Sequence, residues 1–222
     1  MTIALNELLE FAGRVAVIAT MHHKEHAIAP RLAAALGVTT HVPPDFNTDR
    51  FGTFTRDVER PADQLVTARG KAQAALQQTG ESLAIASEGS FGPHPDIPFV
   101  PCDRELVLLL DLEHNLEIVG QVVSTHTNYR SQTIHSVDEA LAFAETVGLP
   151  EHGLVVMPSA KGVTTSQITK ELITDFELTT AVKTALAESA TGTVHIETDM
   201  RAHLNPTRMQ IIGEAADKPR LG

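Results

Sequence analysis

The sequence predicts a mixed α/β fold with a central twisted sheet flanked by helices. Residues 14–19 are a continuous apolar run, which is typical of a central strand covered on both faces. Apolar residues recur at helical spacing over 62–79. Two further apolar segments, 105–111 and 116–124, flank a turn at 114–115 and predict an antiparallel hairpin insertion. Strand and helix signals that alternate in this way favour the α/β class.

The first half of the chain alternates strand, helix and loop signals. Helical composition over 24–36 follows the first strand, and Pro30 either begins or kinks that helix. Gly37 supplies its C-terminal stop. Loop chemistry over 43–61 predicts a long connection that covers a site, although part of it could be a strand. The predicted helix at 62–79 comes next.

The second half continues with the same alternation. Its predicted elements, besides the hairpin, are a strand at 82–87, a helix at 136–147, a strand at 153–157, a helix at 166–188, a strand at 192–198 and a final helix after Pro206. At 222 residues the chain is expected to form one α/β domain, 1–222, or two lobes around a cleft, with the second lobe at about 100–150.

Composition restricts the classes of partner. Seventeen basic residues against 28 acidic ones give a net charge of −11 without a basic tract, so nucleic acid is not expected as a partner. A small anionic substrate, for which a nucleotide is one candidate, remains compatible with local cations. Cys102 is the only cysteine, which excludes an intramolecular disulfide and fits the cytoplasm. No leader or membrane span is expected, and a homodimer is a candidate assembly.

Phosphate and metal chemistry is suggested by the helix at 62–79 and the strand that follows. Asp63, Thr67 and Lys71 recur at i, i+4 spacing and would share one helix face. Glu88 ends an apolar run and precedes Gly89, which allows a ligand to approach closely. Glu88 and Asp63 could therefore hold Mg²⁺ or Mn²⁺, while Lys71 contacts a phosphate. The alternatives are a solvated helix face and a strand-end acid facing water.

A second group of candidates follows the first strand. Thr20 and Lys24 precede a predicted helix, where backbone N–H groups also favour a phosphate. His22, His23 and His26 could bind zinc, although surface histidines are the favoured interpretation because adjacent histidines point in different directions and thiolate ligands are absent.

The segment 197–208 is dense in polar residues and lies between a predicted strand and a predicted helix. His203 and Asn205 could contact a nucleobase, and Arg208 could pair with an anion. The alternative is a helix cap with a salt-bridged tail.

These motifs support two resemblances. Over about 14–92, with looser correspondence at 192–208, the order of Thr20, Lys24, the Thr67-to-Ala72 helix motif and Glu88-Gly89 resembles the inosine triphosphate pyrophosphatase-like superfamily. That resemblance implies metal-dependent hydrolysis of noncanonical nucleoside triphosphates. The whole chain more strongly resembles an uncharacterised bacterial family, a domain of unknown function, that shares the stretches SEGSFG and TDMRAHxNPTR.

Together these features predict a metal-dependent hydrolase of nucleotide phosphoanhydrides. Glu88 and Lys71 would be catalytic. The expected substrate-binding residues are Thr20, Lys24, Thr67, His203, Asn205 and Arg208. The alternative is a noncatalytic nucleotide- or phospholigand-binding regulatory protein, which Val66 and Ala86 favour because the pyrophosphatase superfamily often has acidic residues at these positions.

Overall fold

The computed structural model describes residues 11–48, 51, 63–158 and 167–221, with side chains described as far as 218. The chain divides into two compact units, Met1–Thr125 with Arg208–Gly222, and His126–Thr207. The predicted mixed α/β class is confirmed. Most of the loop predicted over 43–61 lies outside the described residues. None of the described helices is both long and apolar enough to cross a membrane.

The helices and strands are numbered here in chain order. They are β1 (Val15–Ala19), α1 (Glu25–Leu36), β2 (Thr39–His41), α2 (Gln64–Thr79), β3 (Leu83–Pro93), β4 (Pro101–Asp111), β5 (Leu116–Ser124), β6 (Ser131–Ile134), α3 (Val137–Val147), β7 (Leu154–Pro158), β8 (Thr169–Leu172), α4 (Asp175–Glu188), β9 (Val194–Thr198), α5 (Pro206–Ala216) and β10 (Pro219–Leu221). A 3₁₀ turn at Ala202–Leu204 precedes α5.

The first unit contains a six-stranded mixed sheet in the order β10-β5-β4-β3-β1-β2. β1 is parallel to both of its neighbours, β2 and β3, whereas β3, β4, β5 and β10 pair antiparallel. The predicted hairpin is formed by β4 and β5, and Asn115 adopts a left-handed backbone conformation (φ 51°) in its turn. The hairpin is thus a part of the main sheet.

Helices cover both faces of this sheet. α2 packs small side chains, among them Ala68, Ala72 and Ala75, against Leu106 and Leu108 of β4. Residues of α1 and α5 line an apolar cleft over the opposite face, together with Val107 and Leu109 of β4. This two-sided cover explains why β1 is an uninterrupted apolar run.

The second unit is built on an antiparallel sheet in the order β6-β9-β7-β8. Its core combines side chains of these strands with the inner faces of α3 and α4. Ser136 caps α3 by accepting a hydrogen bond from the N–H of Glu139 (3.2 Å). This core is therefore formed by residues of the second unit.

The predicted helix at 166–188 is wrong over its first part. Thr174 and Glu177 form a capping box, so α4 begins only at Asp175. Residues Thr169–Leu172 instead form β8, which pairs with β7. Pairing with a neighbouring strand outweighs the helical composition of this segment. The short strands β2, β6 and β10 were also not predicted, because three or four residues carry too little periodicity.

An ion pair joins the residue before β1 to the last residue of β4. Arg14, directly before β1, donates two hydrogen bonds of 2.7 Å to the carboxylate of Asp111, the last residue of β4. Burial alone would raise the pKa of Asp111, but hydrogen bonds from Arg14, His114 and the N–H of Glu113 outweigh it and lower the pKa to about 2. Asp111 is therefore ionised and fixes the start of β1 against β4.

Candidate functional site

The candidate site lies where β1 ends beside β3. Ala19 pairs with Ala86, so β1 stops next to Ser87 while β3 continues to Pro93. The chain then passes through Thr20 into α1. The carboxyl end of a parallel strand is a frequent ligand site in α/β sheets. Six buried ionisable side chains are found around this part of the sheet, namely Lys24, Lys71, Glu88, Asp103, Glu105 and Arg208.

On one face of the sheet, Lys71 of α2 forms a buried ion pair with Glu88. Glu88 reaches this face because successive strand residues point to opposite sides, and Ala86 two residues earlier packs in the same core. Gln64 donates to the backbone carbonyls of Glu88 (3.2 Å) and Arg104 (2.9 Å). Lys71 and Glu88 thus neutralise each other between α2 and the sheet.

The two remaining candidates on α2 have local roles. Asp63 is exposed and lies just before the regular helix, where its Oδ1 accepts a hydrogen bond from the N–H of Val66 (2.9 Å) as the N-cap. Thr67 is buried, and its hydroxyl donates to the carbonyl of Asp63 (2.8 Å). Thr67 and Lys71 therefore share the inner face of α2, whereas Asp63 does not.

On the opposite face, Arg208 of α5 pairs with Glu105 of β4. Nε of Arg208 donates to Oε1 of Glu105 at 2.7 Å, and both side chains are fully buried. The guanidinium also lies over the ring of Phe91, 5.1 Å from its centroid. Gly89 lies opposite Glu105 in the ladder, and a Cβ there would overlap both charged groups. Only glycine leaves room for this ion pair.

Asp103 lies two residues before Glu105 and so faces the same side of β4. Burial and repulsion from Glu105 raise the pKa of Asp103 to about 8. Among the described residues, no donor reaches either carboxylate oxygen of Asp103. A hydrogen bond to Glu105 becomes available only when Asp103 is protonated. Asp103 is therefore protonated near neutral pH and can donate a hydrogen bond to Glu105.

Lys24 is the third cation of this region and the one with a neutral partner. Its Nζ donates to the hydroxyl (3.2 Å) and the carbonyl (3.4 Å) of Ser87. Burial, reinforced by the charge of Arg208, lowers the pKa of Lys24 to about 7. No carboxylate among the described residues lies within ion-pair distance of its ammonium group. Thr20, four residues before Lys24, is also buried, and its hydroxyl accepts a hydrogen bond from the N–H of His22 (3.3 Å).

His203 and Asn205 lie in the second unit, in the segment between β9 and α5. Asn205 is buried, and its amide donates to Asn128 Oδ1 at 2.8 Å. In the same segment, Arg201 pairs with Asp199 at 2.6 Å. The amide of Asn205 therefore contributes to the internal structure of the second unit.

The structure brings four of the predicted residues to one region of the first unit, namely Lys24, Lys71, Glu88 and Arg208. The sequence interpretation did not include Asp103 and Glu105. Their signal was two acids at i, i+2 spacing, which places both on one face of a strand whose remaining positions are mainly apolar.

Substituting Asp103 by Asn is expected to change the pH dependence of stability. The folded protein keeps the Asp103 proton up to about pH 8, whereas an unfolded aspartate loses it near about pH 4. Folding therefore takes up a proton within this window, and stability falls as the pH rises. Asn cannot ionise. From about pH 5 to about pH 7, Asp103→Asn should gain about 2.5 kcal/mol relative to the native protein in urea unfolding.

Asp96→Asn is the matched control, because Asp96 is exposed and makes the same change of charge. Its unfolding free energy should follow that of the native protein at every pH. If Asp103→Asn and the native protein also run parallel between these pH values, Asp103 is ionised in the folded state and its raised pKa is contradicted.

A protein-family model matches most of the length of the chain. A family model, the domain of unknown function DUF6671, matches residues 71–220. The matched range begins at Lys71 and includes Glu88, Asp103, Glu105 and Arg208. A comparison with curated proteins gives no match. Because the family model covers more than half of the sequence, the chain belongs to the DUF6671 family.

Proposed function

We propose that the first unit binds a small phosphorylated anion at the carboxyl end of β1, with Lys24 as the principal contact and a nucleotide as the candidate ligand. The observation that carries this proposal is the partner of Lys24. Lys71 and Arg208 each pair with a carboxylate, whereas the ammonium of Lys24 is held by Ser87. A buried ammonium group that no carboxylate contacts directly is costly, which is reflected in the lowered pKa of Lys24, and a bound anion would supply a charge in direct contact.

The surroundings of Lys24 also favour an anion. Lys24 is the residue directly before α1, a helix of 12 residues whose dipole favours negative charge at this end. The hydroxyl of Thr20 lies at the end of the adjoining strand. A phosphate group offers several acceptor oxygens to such donors. The lysine stem is flexible, so the ammonium can exchange Ser87 for a ligand by rotation of its side chain.

The predicted Mg²⁺ or Mn²⁺ site at Glu88 and Asp63 finds little support in the observed arrangement. The carboxylate of Glu88 is paired with Lys71, and Asp63 caps α2 from an exposed position. Metal dependence therefore stays a prediction, and the binding proposal does not require it.

Hydrolysis of a phosphoanhydride is the second candidate function. One observation favours it, namely that Asp103 is a neutral acid near pH 7 and lies beside Glu105. Two carboxyl groups with separated protonation states can serve as acid and base in hydrolysis. The resemblance to the inosine triphosphate pyrophosphatase-like superfamily points to the same chemistry. The nucleoside contacts predicted for His203 and Asn205 stay a prediction, since the proposal rests on the first unit alone.

Pyrophosphate binding tests the role of Lys24. Isothermal titration of the native protein should show binding, and Lys24→Met should weaken it at least about tenfold, because a charge-assisted contact is lost. Methionine keeps the length and the apolar stem of lysine, so the variant is expected to fold.

Lys183→Met removes an exposed lysine from the second unit and is the matched control. It should bind pyrophosphate as the native protein does. Equal affinity of Lys24→Met and the native protein, or no binding by a folded native sample, would remove the support for this site.

Release of phosphate or pyrophosphate separates the two candidate functions. A panel of canonical and deaminated nucleoside triphosphates is incubated with the native protein, with and without Mg²⁺ or Mn²⁺. The hydrolase predicts release that is lost in Asp103→Asn, because this variant removes the neutral acid. Loss of release in Glu88→Gln and in the double variant Lys71→Met/Glu88→Gln, which leaves no unpaired buried charge, would in addition support the predicted catalytic roles of Glu88 and Lys71. Pyrophosphate binding without release from any nucleotide would instead indicate the noncatalytic phospholigand-binding protein.

A further inference from the structure

Two histidines and a glutamate converge at the beginning of α1. Nδ1 of His23 lies 3.6 Å from Oε1 of Glu25, and Nε2 of His26 lies 3.9 Å from the same oxygen. One potential ligand atom from each of the three residues lies within 4.8 Å of the other two. Among the described residues, no other group of three His, Cys, Asp or Glu side chains brings its potential ligand atoms this close together.

The local backbone explains why these side chains meet. His23 has a φ of 57°, a left-handed conformation that a residue other than glycine rarely adopts. The N–H of His26 donates to the carbonyl of His23 (3.1 Å), which closes the turn into α1. The two imidazole rings then stack, with centroids 5.4 Å apart and planes inclined by 14°. Strained backbone of this kind often accompanies a functional constraint.

The spacing suits a metal ion. Ligand atoms at about 2.0 to 2.2 Å from a tetrahedral zinc ion lie roughly 3.3 to 3.6 Å from one another. The two nitrogen-to-oxygen distances reach or exceed this range by a few tenths of an ångström, and the two ring nitrogens lie within 4.8 Å of each other. Both imidazole rings must turn out of their stacked arrangement to bring their nitrogens onto one ion. Two imidazoles and one carboxylate are also a common protein ligand set for zinc.

A second observation comes from the glutamate itself. Its other carboxylate oxygen, Oε2 of Glu25, is buried and accepts no hydrogen bond from any described residue. Buried polar atoms are nearly always satisfied, so an exception indicates an unseen water or ion. Both histidines lie near Oε1, so a metal held by both carboxylate oxygens of Glu25 would satisfy Oε2 as well.

We propose that His23, Glu25 and His26 bind one Zn²⁺ ion, with the fourth position left to water. This site goes beyond the proposed phospholigand function and does not depend on it. Lys24 lies between the ligands in sequence, but its ammonium group contacts Ser87 of β3, whereas both histidines are exposed. The two proposals can therefore fail separately.

Zinc titration of the full chain without an affinity tag tests the site. Calorimetry should give one Zn²⁺ per chain, and His23→Ala, His26→Ala and Glu25→Gln should each weaken binding at least about tenfold. Co²⁺ in place of Zn²⁺ should give visible absorption bands typical of tetrahedral coordination, and the same three variants should abolish them. Circular dichroism confirms that each variant is folded.

His41→Ala is the matched control, because His41 is exposed in the same unit and lies on β2. It should leave both the stoichiometry and the cobalt spectrum unchanged. The chain has 11 histidines, so weak binding at scattered sites is the competing result. Affinity that is unchanged in the three ligand variants, or absent in the native protein, would overturn the proposal.

Discussion

The buried ion pair between Arg208 and Glu105 is the constraint on which the first unit depends. It joins α5 to β4 in the middle of the sheet. The residues from Arg208 onward belong to the first unit, although they follow the second unit in the sequence. Both side chains are fully buried, so removing either one would leave a charge without its partner, which commonly costs about 3–5 kcal/mol. Gly89 leaves the space for this pair, and Asp103 must hold a proton to lie beside it. Glycine, ion pair and protonated acid therefore form one interdependent arrangement.

This arrangement also explains why Lys24 is the cation that a ligand would contact. The other two buried cations already have carboxylates, Glu88 on one face of the sheet and Glu105 on the other. Hydrophobic residues could fill the same volume at less cost in desolvation, so a stability role alone accounts poorly for so many buried charges. Ionisable groups with perturbed pKa values cluster at functional sites more often than elsewhere. An anion at Lys24 would place a negative charge in direct contact with the one cation of this group that a neutral residue holds.

The sequence predicted the elements with strong periodicity and missed features that arise from contacts. β1 could be predicted from its uninterrupted apolar run, and α2 from its long helical periodicity with Pro61 before it and Gly80 after it. β8 could not, because its pairing with β7 decides its structure. Lys24 was recognised from its position after a strand and Lys71 from its i, i+4 spacing on a helix, but the contact of Lys24 with Ser87 and the direct ion pair of Lys71 with Glu88 were not predicted. Glu105 meets Arg208 across 103 residues of sequence, a distance that no local pattern reports.

A crystal structure of the protein soaked with tungstate, a heavy-atom analogue of phosphate, tests the central claim most directly. The account predicts an anomalous peak within hydrogen-bonding distance of Nζ of Lys24, with this side chain turned away from Ser87 and the pair of Arg208 and Glu105 intact. Peaks confined to other surfaces, with Lys24 still bonded to Ser87, would contradict it. In that case the buried charges would serve the fold of the first unit and not a ligand.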